Sequence, residues 1–339
     1  MSNLRDRDLW SVLSTSHEDG RPETAVRLLE HDDTLTEARS SNGQTPLSWG
    51  ASTGQDSIVK LLLEKDADVN SKDIYQRTPL SWASKNSHET IVTMLLGNGA
   101  DVHSKDNYGW TPLSWASMSG HERVIQLLLQ AGSNPDTKDV YGWTPLSWAA
   151  RKGFTPIVEL LLDRDDVDVD STDVYGRTPL SWAAEKGFSS VVKVLLECRA
   201  NAHFPDHYNR TPLSWAARDG HQAVVKLLLR SGDRGLVDSY GATPLSWAAR
   251  NGHETVVKLL LNADVGPEVD RPDIYGRTPL SWAAERGWST VVELLLEKSA
   301  QRTSQDNYGW TPALWAVKRG HFVIVDMLSR MEDPVVSVN

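Results

Sequence analysis

The sequence has few of the features that indicate bound groups, secretion or membrane insertion. It contains one cysteine, Cys198, among 339 residues, which is too few for a disulfide framework or a thiolate zinc site. No apolar run approaches the ~18 residues that span a bilayer, and Met1 to Trp10 hold no stretch typical of a signal peptide. The formal net charge of −10 argues against a nucleic-acid partner. We therefore expect a monomeric chain in the cytoplasm or nucleus, with no membrane partner.

Phenylalanine is scarce, with 4 residues, whereas tryptophan occurs 14 times, mainly within one repeated string. Thr-Pro-Leu-Ser-Trp occurs eight times, and a ninth copy reads Thr-Pro-Ala-Leu-Trp. The copies are spaced by 32 to 35 residues and begin at Thr45, Thr78, Thr111, Thr144, Thr178, Thr211, Thr243, Thr278 and Thr311. Such a period predicts one repeat array rather than two or three unrelated domains.

Each copy begins with residues that favour the start of a helix. The Thr can act as N-terminal cap, and Pro fits the first helical position because its missing N–H would have no partner there. Nine residues after the Thr, every copy except that with Ser87 has Gly, which suits a left-handed helix end. A second apolar segment follows, such as Val224 to Leu229, and then an Asp-x-Tyr turn. Each unit is predicted to be helix, short loop, helix and longer loop.

These units resemble the ankyrin repeat in period, in the Thr-Pro-Leu opening and in the Val-Val-x-Leu-Leu-Leu second helix. The Gly-His pair of that family stands at His121, His221, His253 and His321. The resemblance covers roughly residues 5–335 and implies an all-α solenoid of helix-loop-helix units joined by β-turn or hairpin-like loops. Ser and Trp replace the family's usual His and Leu after Thr-Pro-Leu, which looks like fungal arrays often attached to a nucleoside-triphosphatase module. No phosphate-loop motif GxxxxGK[ST] occurs in this sequence.

The predicted organisation has three parts. Residues 1–40 are expected to be a degenerate N-terminal capping repeat, because they lack the Thr-Pro-Leu string but keep two apolar segments. Residues 41–330 are expected to form nine repeats, the last acting as C-terminal cap because polar Ser329 and Arg330 end its second helix. Residues 331–339 are expected to be a flexible tail.

The Trp of each string is predicted to be structural, packing between its own helices and the next unit. An aromatic stripe for a ligand is the alternative. Direct stacking of one such Trp on the next does not follow from this packing, because neighbouring helices lie ~8–10 Å apart and stacked rings ~4.5–7 Å. The residues concerned include Trp82, Trp115, Trp148, Trp182, Trp215, Trp247 and Trp282.

A variable strip is the candidate protein-binding site. It comprises the residue before each Thr, together with the exposed end of each first helix, and Trp and Arg are frequent in it. An ordinary solvated surface is the alternative for each residue. Its candidates are Arg77, Trp110, Met118, Trp143, Arg151, Arg177, Arg210, Arg277 and Trp310. The tip tyrosines, among them Tyr108, Tyr141 and Tyr175, could bind a partner or pack adjacent tips.

The strip is expected to be locally basic, with the acid elsewhere, notably in the run from Asp163 to Asp170, and to prefer an acidic partner segment. That run lacks the Gly and terminal Glu of a calcium-binding loop. Because no clustered acid, base, nucleophile or metal ligands occur, no catalytic, cofactor or metal site is predicted. We expect a non-enzymatic protein–protein interaction scaffold. The alternative is a fungal-type regulatory sensor or transcription coregulator that works with a separate effector chain.

Overall fold

The computed structural model describes residues 2–19, 22–232, 237–263 and 269–329, without the side chains of residues 2–8 and 17. The tail predicted at residues 331–339, and Arg330, lie outside these residues. Within them the chain forms α-helices and no strand. The helices are α1 (Ser2–Glu18), α2 (Glu23–His31), α3 (Pro46–Thr53), α4 (Asp56–Glu64), α5 (Pro79–Lys85), α6 (Glu89–Gly97), α7 (Pro112–Ser119), α8 (Glu122–Gln130), α9 (Pro145–Lys152), α10 (Thr155–Leu162), α11 (Pro179–Lys186), α12 (Ser189–Glu197), α13 (Pro212–Asp219), α14 (Gln222–Arg230), α15 (Pro244–Asn251), α16 (Glu254–Leu261), α17 (Pro279–Arg286), α18 (Ser289–Glu297), α19 (Pro312–Arg319) and α20 (Phe322–Ser329).

The first helix of each repeat begins and ends as its residues predict. The Thr side chain accepts a hydrogen bond from the backbone N–H three residues later, at 3.1 to 3.4 Å. Pro occupies the first turn. The Gly at the other end is left-handed, with φ of 76° to 88°, and Ser87 takes the same conformation with φ of 64°. The predicted caps are therefore confirmed.

The second helices bury their apolar face, as the Val-Val-x-Leu-Leu-Leu pattern predicts. In α14, Val224, Val225 and Leu228 are fully buried. The His between the two helices joins successive repeats: His221 Nε2 donates to the carbonyl O of Glu185, 2.8 Å away. Corresponding bonds are made by His88, His121, His253 and His321, and by the indole of Trp288. These side chains therefore link neighbouring repeats by hydrogen bonds to the backbone.

The longer loops end in hairpin-like tips. In the third repeat, Asp106 N–H donates to the carbonyl O of Trp110 at 3.1 Å, and Gly109 N–H donates to that of Asp106 at 2.9 Å. Within a unit, successive tips also bond to each other: Val140 N–H, for example, donates to the carbonyl O of Tyr108 at 3.0 Å. The predicted hairpin-like loops are therefore confirmed.

The chain divides into two compact units, Met1–Asp168 and Val169–Asn339, which are described separately. Within each unit, consecutive helix pairs pack as a repeat solenoid. In the first unit, α1 and α2 pair and fully bury Leu9, Leu13 and Leu29. No helix in the described ranges is long and apolar enough to cross a membrane.

Candidate functional site

A buried aspartate organises each tip from the second repeat to the ninth. Asp106 Oδ1 accepts from the backbone N–H of Tyr108 and of Trp110, each at 2.9 Å. Its other oxygen, Oδ2, accepts from the indole Nε1 of Trp115 at 3.2 Å. One carboxylate thus fixes the turn and holds the Trp of the following helix against it.

The Asp–Trp hydrogen bond recurs in both units with a spacing of nine residues. Trp215 differs, because Arg210 Nε donates to Asp206 Oδ2 at 3.0 Å, and the buried indole N–H has no partner within the described residues. Sequence reasoning overlooked these aspartates, although their constant spacing from Trp was the signal. The bonds span 2.8 to 3.3 Å and join Trp82 to Asp73, Trp115 to Asp106, Trp148 to Asp139, Trp182 to Asp173, Trp247 to Asp238, Trp282 to Asp273 and Trp315 to Asp306.

In the first unit, tip tryptophans fill the space between successive core tryptophans. The ring centroid of Trp110 lies 4.4 Å from that of Trp115 and 4.7 Å from that of Trp148. The ring centroids of Trp143 and Trp148 lie 4.4 Å apart, with the ring planes tilted by 34°. These contacts do not join the Trp of one string to that of the next. Helix spacing separates those rings, and a ring from the tip enters the gap between two of them.

In the second unit, arginine takes the same intercalated place. The guanidinium carbon of Arg177 lies 3.4 Å from the ring centroid of Trp182 and 3.9 Å from that of Trp215. Arg277 lies at 3.6 Å from Trp282 and 4.2 Å from the ring of Trp315. A planar guanidinium can stack on an indole much as a second ring does. This explains why either Trp or Arg can occupy the position just before the Thr of a repeat.

The candidate residues of the strip differ in exposure. Three are buried: Trp143, Arg177 and Arg277, with 7, 7 and 6% of their surface exposed. They cannot present the open contact area that sequence reasoning assigned to the strip. Binding by the remaining candidates stays a prediction. Those residues are half-buried and comprise Arg77, Trp110, Met118, Arg151, Arg210 and Trp310.

The tip tyrosines combine a bonded backbone with an exposed ring. Tyr108, Tyr141 and Tyr175 expose 47, 51 and 54% of their surface. Their backbone N–H groups bond to the tip aspartates. The backbone of each tip is thus structural, while the rings are open to a partner. Val140, next to Tyr141, is also exposed.

Buried Glu285 and half-buried Glu185 compensate the arginines of the second unit. Glu185 pairs with Arg177, and Glu285 with Arg277 Nη1 at 2.6 Å and with Arg319 Nη2 at 2.8 Å. Burial lowers the pKa of Arg177 to about 9, which leaves the guanidinium charged at neutral pH. This part of the strip is therefore an internally paired network.

The first unit has a different balance of charge. Lys85 Nζ lies 4.8 Å from the ring centroid of Trp115, and the Arg151 guanidinium carbon 5.3 Å from that of Trp143. Burial, and then repulsion from Arg77, lowers the pKa of Lys85. Besides the acidic run from Asp163 to Asp170, the tips of the strip carry aspartates, but these are buried. The partly accessible charges of this region are cationic.

No group of His, Cys, Asp or Glu in the described ranges is arranged to hold a metal ion. In the predicted acidic run, Asp166 is paired with Arg164 at 2.8 Å. The side chains that the structure brings together in the strip are therefore aromatic and charged ones, held on the first helices and the tips.

The capped helix pairs and bonded tips define a helical repeat protein in which, within each unit, consecutive pairs pack on one another. The sequence profile of ankyrin repeats, in three-copy form, matches residues 2–73, 73–139, 131–206, 191–273 and 265–337. The chain therefore belongs to the ankyrin-repeat family, as the resemblance in the sequence predicts. Ankyrin repeats are generally protein–protein interaction modules, and proteins built from them are typically non-enzymatic. No curated protein matches the chain.

Proposed function

We propose that this chain is a non-enzymatic interaction scaffold whose first unit binds an acidic segment of a protein partner. The proposal rests on the apolar side chains of Trp110 and Met118 and on the cations that lie near them. Both are half-buried, and the cations Lys85 and Arg151 lie on the same strip. Aromatic residues, Met and Arg are the residue types enriched at protein interfaces.

Charge supports an acidic partner. The tip carboxylates of Asp73, Asp106 and Asp139 are 3, 6 and 7% exposed and accept hydrogen bonds inside the fold. Lys85 is half-buried and Lys152 is exposed. Carboxylates of a partner would contact the cations at the surface and would not approach the buried aspartates. The two surfaces would therefore be electrostatically complementary.

The scaffold also orders the contact residues before binding. Trp110 is held between Trp115 and Trp148, and its backbone N–H is bonded to Asp106. A side chain that is already fixed loses little rotamer freedom when a partner binds. The exposed rings of Tyr108 and Tyr141 extend the same surface towards the tips. A separate effector chain, if the array is a sensor, would use this surface as its docking point.

The test compares binding of acidic and basic peptide pools of matched apolar content. We expect the acidic pool to bind more tightly, with the preference reduced at higher salt. In the variant Lys85→Glu/Arg151→Glu, affinity for acidic peptides should fall by about tenfold or more, since like charges then face each other. Equal binding of the two pools, or preference for the basic pool, would contradict the proposal.

A matched control carries the same change of charge on the outer faces of α4 and α8. Lys60→Glu/Arg123→Glu alters two exposed residues away from the strip. We expect its affinity for acidic peptides to change by less than about twofold, because exposed charges at a distance are screened. Circular dichroism of both variants checks that helicity is retained. A similar loss of affinity in the control would show that net charge, rather than the strip, determines binding.

A further inference from the structure

The seventh repeat has a small residue at a place where most repeats have a large one. Ala242 stands just before the capping Thr, whereas every other repeat from the second to the ninth has Trp or Arg there. Arg177 and Arg277, at the equivalent places in the second unit, each lie between the core Trp of their own repeat and that of the next. The corresponding core residues of the seventh and eighth repeats are Trp247 and Trp282. We call the space between their indoles, beside Ala242, the Ala242 slot.

The backbone at Ala242 has the same hydrogen bonds as a tip that carries a large residue. Ala242 N–H donates to Asp238 Oδ1 at 2.9 Å, and Asp238 N–H donates to the carbonyl O of Ala242 at 3.0 Å. Arg277 makes the same two bonds with Asp273, at 2.9 and 3.0 Å. The Cβ atom of Ala242 therefore lies where the Arg277 side chain begins its path between two indoles, and the tip contributes only a methyl group to the slot.

The residues around the slot are partly exposed. Trp247 and Trp282 are half-buried, and so is Thr243, the cap that follows Ala242. The capping Thr is at most 2% exposed in the three other repeats of the second unit that precede another repeat, namely at Thr178, Thr211 and Thr278. The short side chain of Ala242 thus leaves one side of the slot open to solvent.

Both rings of the slot are fixed in place. The indole Nε1 of Trp247 donates to Asp238 Oδ2 at 2.9 Å, and that of Trp282 donates to Asp273 Oδ2 at the same distance. Since these rings are already ordered, a group that enters between them costs little rotamer freedom in the protein.

Arg250, at the end of α15, reaches the slot from the other side. Its guanidinium carbon lies 4.1 Å from the ring centroid of Trp282 and 5.5 Å from that of Trp247. Arg250 is half-buried. It therefore covers Trp282 closely and Trp247 only loosely.

The second repeat shows how much such a gap can hold. There Lys85, at the place equivalent to Arg250, lies 5.2 and 4.8 Å from the ring centroids of Trp82 and Trp115. Arg77, from the tip, lies 4.9 and 4.8 Å from the same two rings. A gap of this kind has room for two side chains, one from the helix end and one from the tip. In the Ala242 slot the second place is left to a group from outside.

We propose that the Ala242 slot binds an aromatic side chain of a partner protein, which inserts between Trp247 and Trp282. The chain itself shows that an aromatic ring fits such a place, because Trp110 lies between two core rings at centroid distances of 4.4 and 4.7 Å. Aromatic rings packed in this range attract one another beyond the effect of burial alone. The site lies in the second unit and is separate from the acidic-segment surface proposed for the first.

The charges near the slot favour a ring over a guanidinium group. Burial, and then repulsion from Arg286 and Arg277, lowers the pKa of Arg250. The nearby carboxylates are already engaged, since Glu285 pairs with Arg277 and Asp273 accepts from three N–H groups. A second guanidinium would add like charge, whereas a ring gains a cation–π contact with Arg250.

Nuclear magnetic resonance of the ¹⁵N-labelled full chain tests the slot with two small probes, N-acetyltryptophanamide and N-acetylargininamide. The indole N–H signals of Trp247 and Trp282 are assigned with Trp247→Phe and Trp282→Phe. We expect N-acetyltryptophanamide to shift these two signals at millimolar concentration, as suits so small a ligand. The indole signals of Trp182 and Trp215, whose gap already contains Arg177, should shift at least about fivefold less.

N-acetylargininamide should bind at least about tenfold more weakly than N-acetyltryptophanamide. Tighter binding of the arginine probe would show that the slot takes a cation and would overturn the proposal. Equal shifts at all indole signals, or no shift at Trp247 and Trp282, would overturn it as well. Because these two signals report on the second unit, such a failure leaves the acidic-peptide proposal for the first unit untouched.

A variant that fills the slot from within gives an independent readout. Ala242→Trp should raise the urea midpoint and weaken binding of N-acetyltryptophanamide by at least about tenfold, because the new ring occupies the same place. The matched control is Ala249→Trp, at a fully buried position of α15, which should lower the midpoint by overpacking. A midpoint below that of the unaltered chain in Ala242→Trp would show that the slot is closed, and the proposal would be wrong.

Discussion

The indole Nε1 of Trp282 donates a 2.9 Å hydrogen bond to Oδ2 of Asp273, nine residues earlier in the chain. Asp273 Oδ1 accepts from the backbone N–H groups of Tyr275 and Arg277, each at 2.9 Å. One buried carboxylate therefore closes the tip and positions the aromatic ring. Since that ring supports the Arg277 guanidinium, the aspartate also sets the geometry of the strip.

Removal of this carboxylate should destabilise the protein. Asp273→Ala leaves three N–H donors without their acceptor, and we expect the free energy of unfolding to fall by about 2–4 kcal/mol. Asp273→Asn should have an intermediate effect, because its amide oxygen can still accept from the backbone while its NH₂ cannot accept from Trp282. Urea denaturation followed by circular dichroism measures the change. As control, Asp165→Ala in an exposed loop should alter stability by less than about 0.5 kcal/mol.

Ser87 provides a test of the left-handed helix ends. It has φ of 64° at the position where the other copies of the repeat have Gly. Because this conformation is unfavourable for residues with a Cβ atom, Ser87→Gly should raise the free energy of unfolding by about 0.5–1 kcal/mol. Ser87→Ala, which keeps a Cβ atom in the same left-handed conformation, should not raise it. The prediction fails if both substitutions shift the urea midpoint in the same direction.

Glu285 should make stability depend on pH. Burial on its own would raise its pKa, but hydrogen bonds from Arg319 and Arg277 outweigh burial and hold the pKa below the ordinary value of 4.5. A depressed folded-state pKa stabilises the protein above the ordinary value, and this contribution is lost as the pH falls through the folded-state pKa.

Glu285→Gln should therefore lower the free energy of unfolding by about 2 kcal/mol at pH 7. The difference between the variant and the unaltered chain should shrink as the pH falls below 4.5, since the carboxylate of the unaltered chain then becomes protonated. Parallel urea titrations at several pH values measure it. Glu293→Gln, at an exposed position of α18, is the control. A difference that stays constant down to low pH would contradict the assigned role.

Much of the fold follows from local signals in the sequence. The Thr caps, the Pro at the first turn and the Gly at the helix end act within about ten residues, so each copy predicts its own helices. The period then predicts their stacking. The arrangement of the candidate site is harder to predict from the sequence, because its contacts join residues of different repeats. Trp110, for example, meets Trp148 of the next repeat, and no spacing within one repeat indicates this.

Burial of arginine was also hidden from the sequence. Arg177 and Arg277 suggested exposed binding residues, because charged side chains are seldom buried without partners. Their partners, Glu185 and Glu285, are eight residues later in the chain, and the supporting tryptophans come from two successive repeats. Only the combination of stacking and ion pairing accounts for the burial of these guanidinium groups.

The intercalated place should accept either arginine or tryptophan at low cost. Trp110→Ala removes a ring that packs between those of Trp115 and Trp148, and we expect a loss of about 2–3 kcal/mol in the free energy of unfolding. Trp110→Arg should cost only about 1 kcal/mol, because a guanidinium stacks in the same gap and Asp139 can pair with it. Arg77 shows this arrangement one repeat earlier, with Asp106 at 3.7 Å.

The Arg variant then separates folding from recognition. If Trp110 contacts the partner, Trp110→Arg should weaken binding of apolar-rich acidic peptides although the protein stays folded, because the aromatic contact area is lost. Urea denaturation measures the stability of both variants, and peptide titration measures binding. Equal destabilisation by Arg and Ala would show that the gap requires an indole, and the structural equivalence of Trp110 and Arg77 would be disproved.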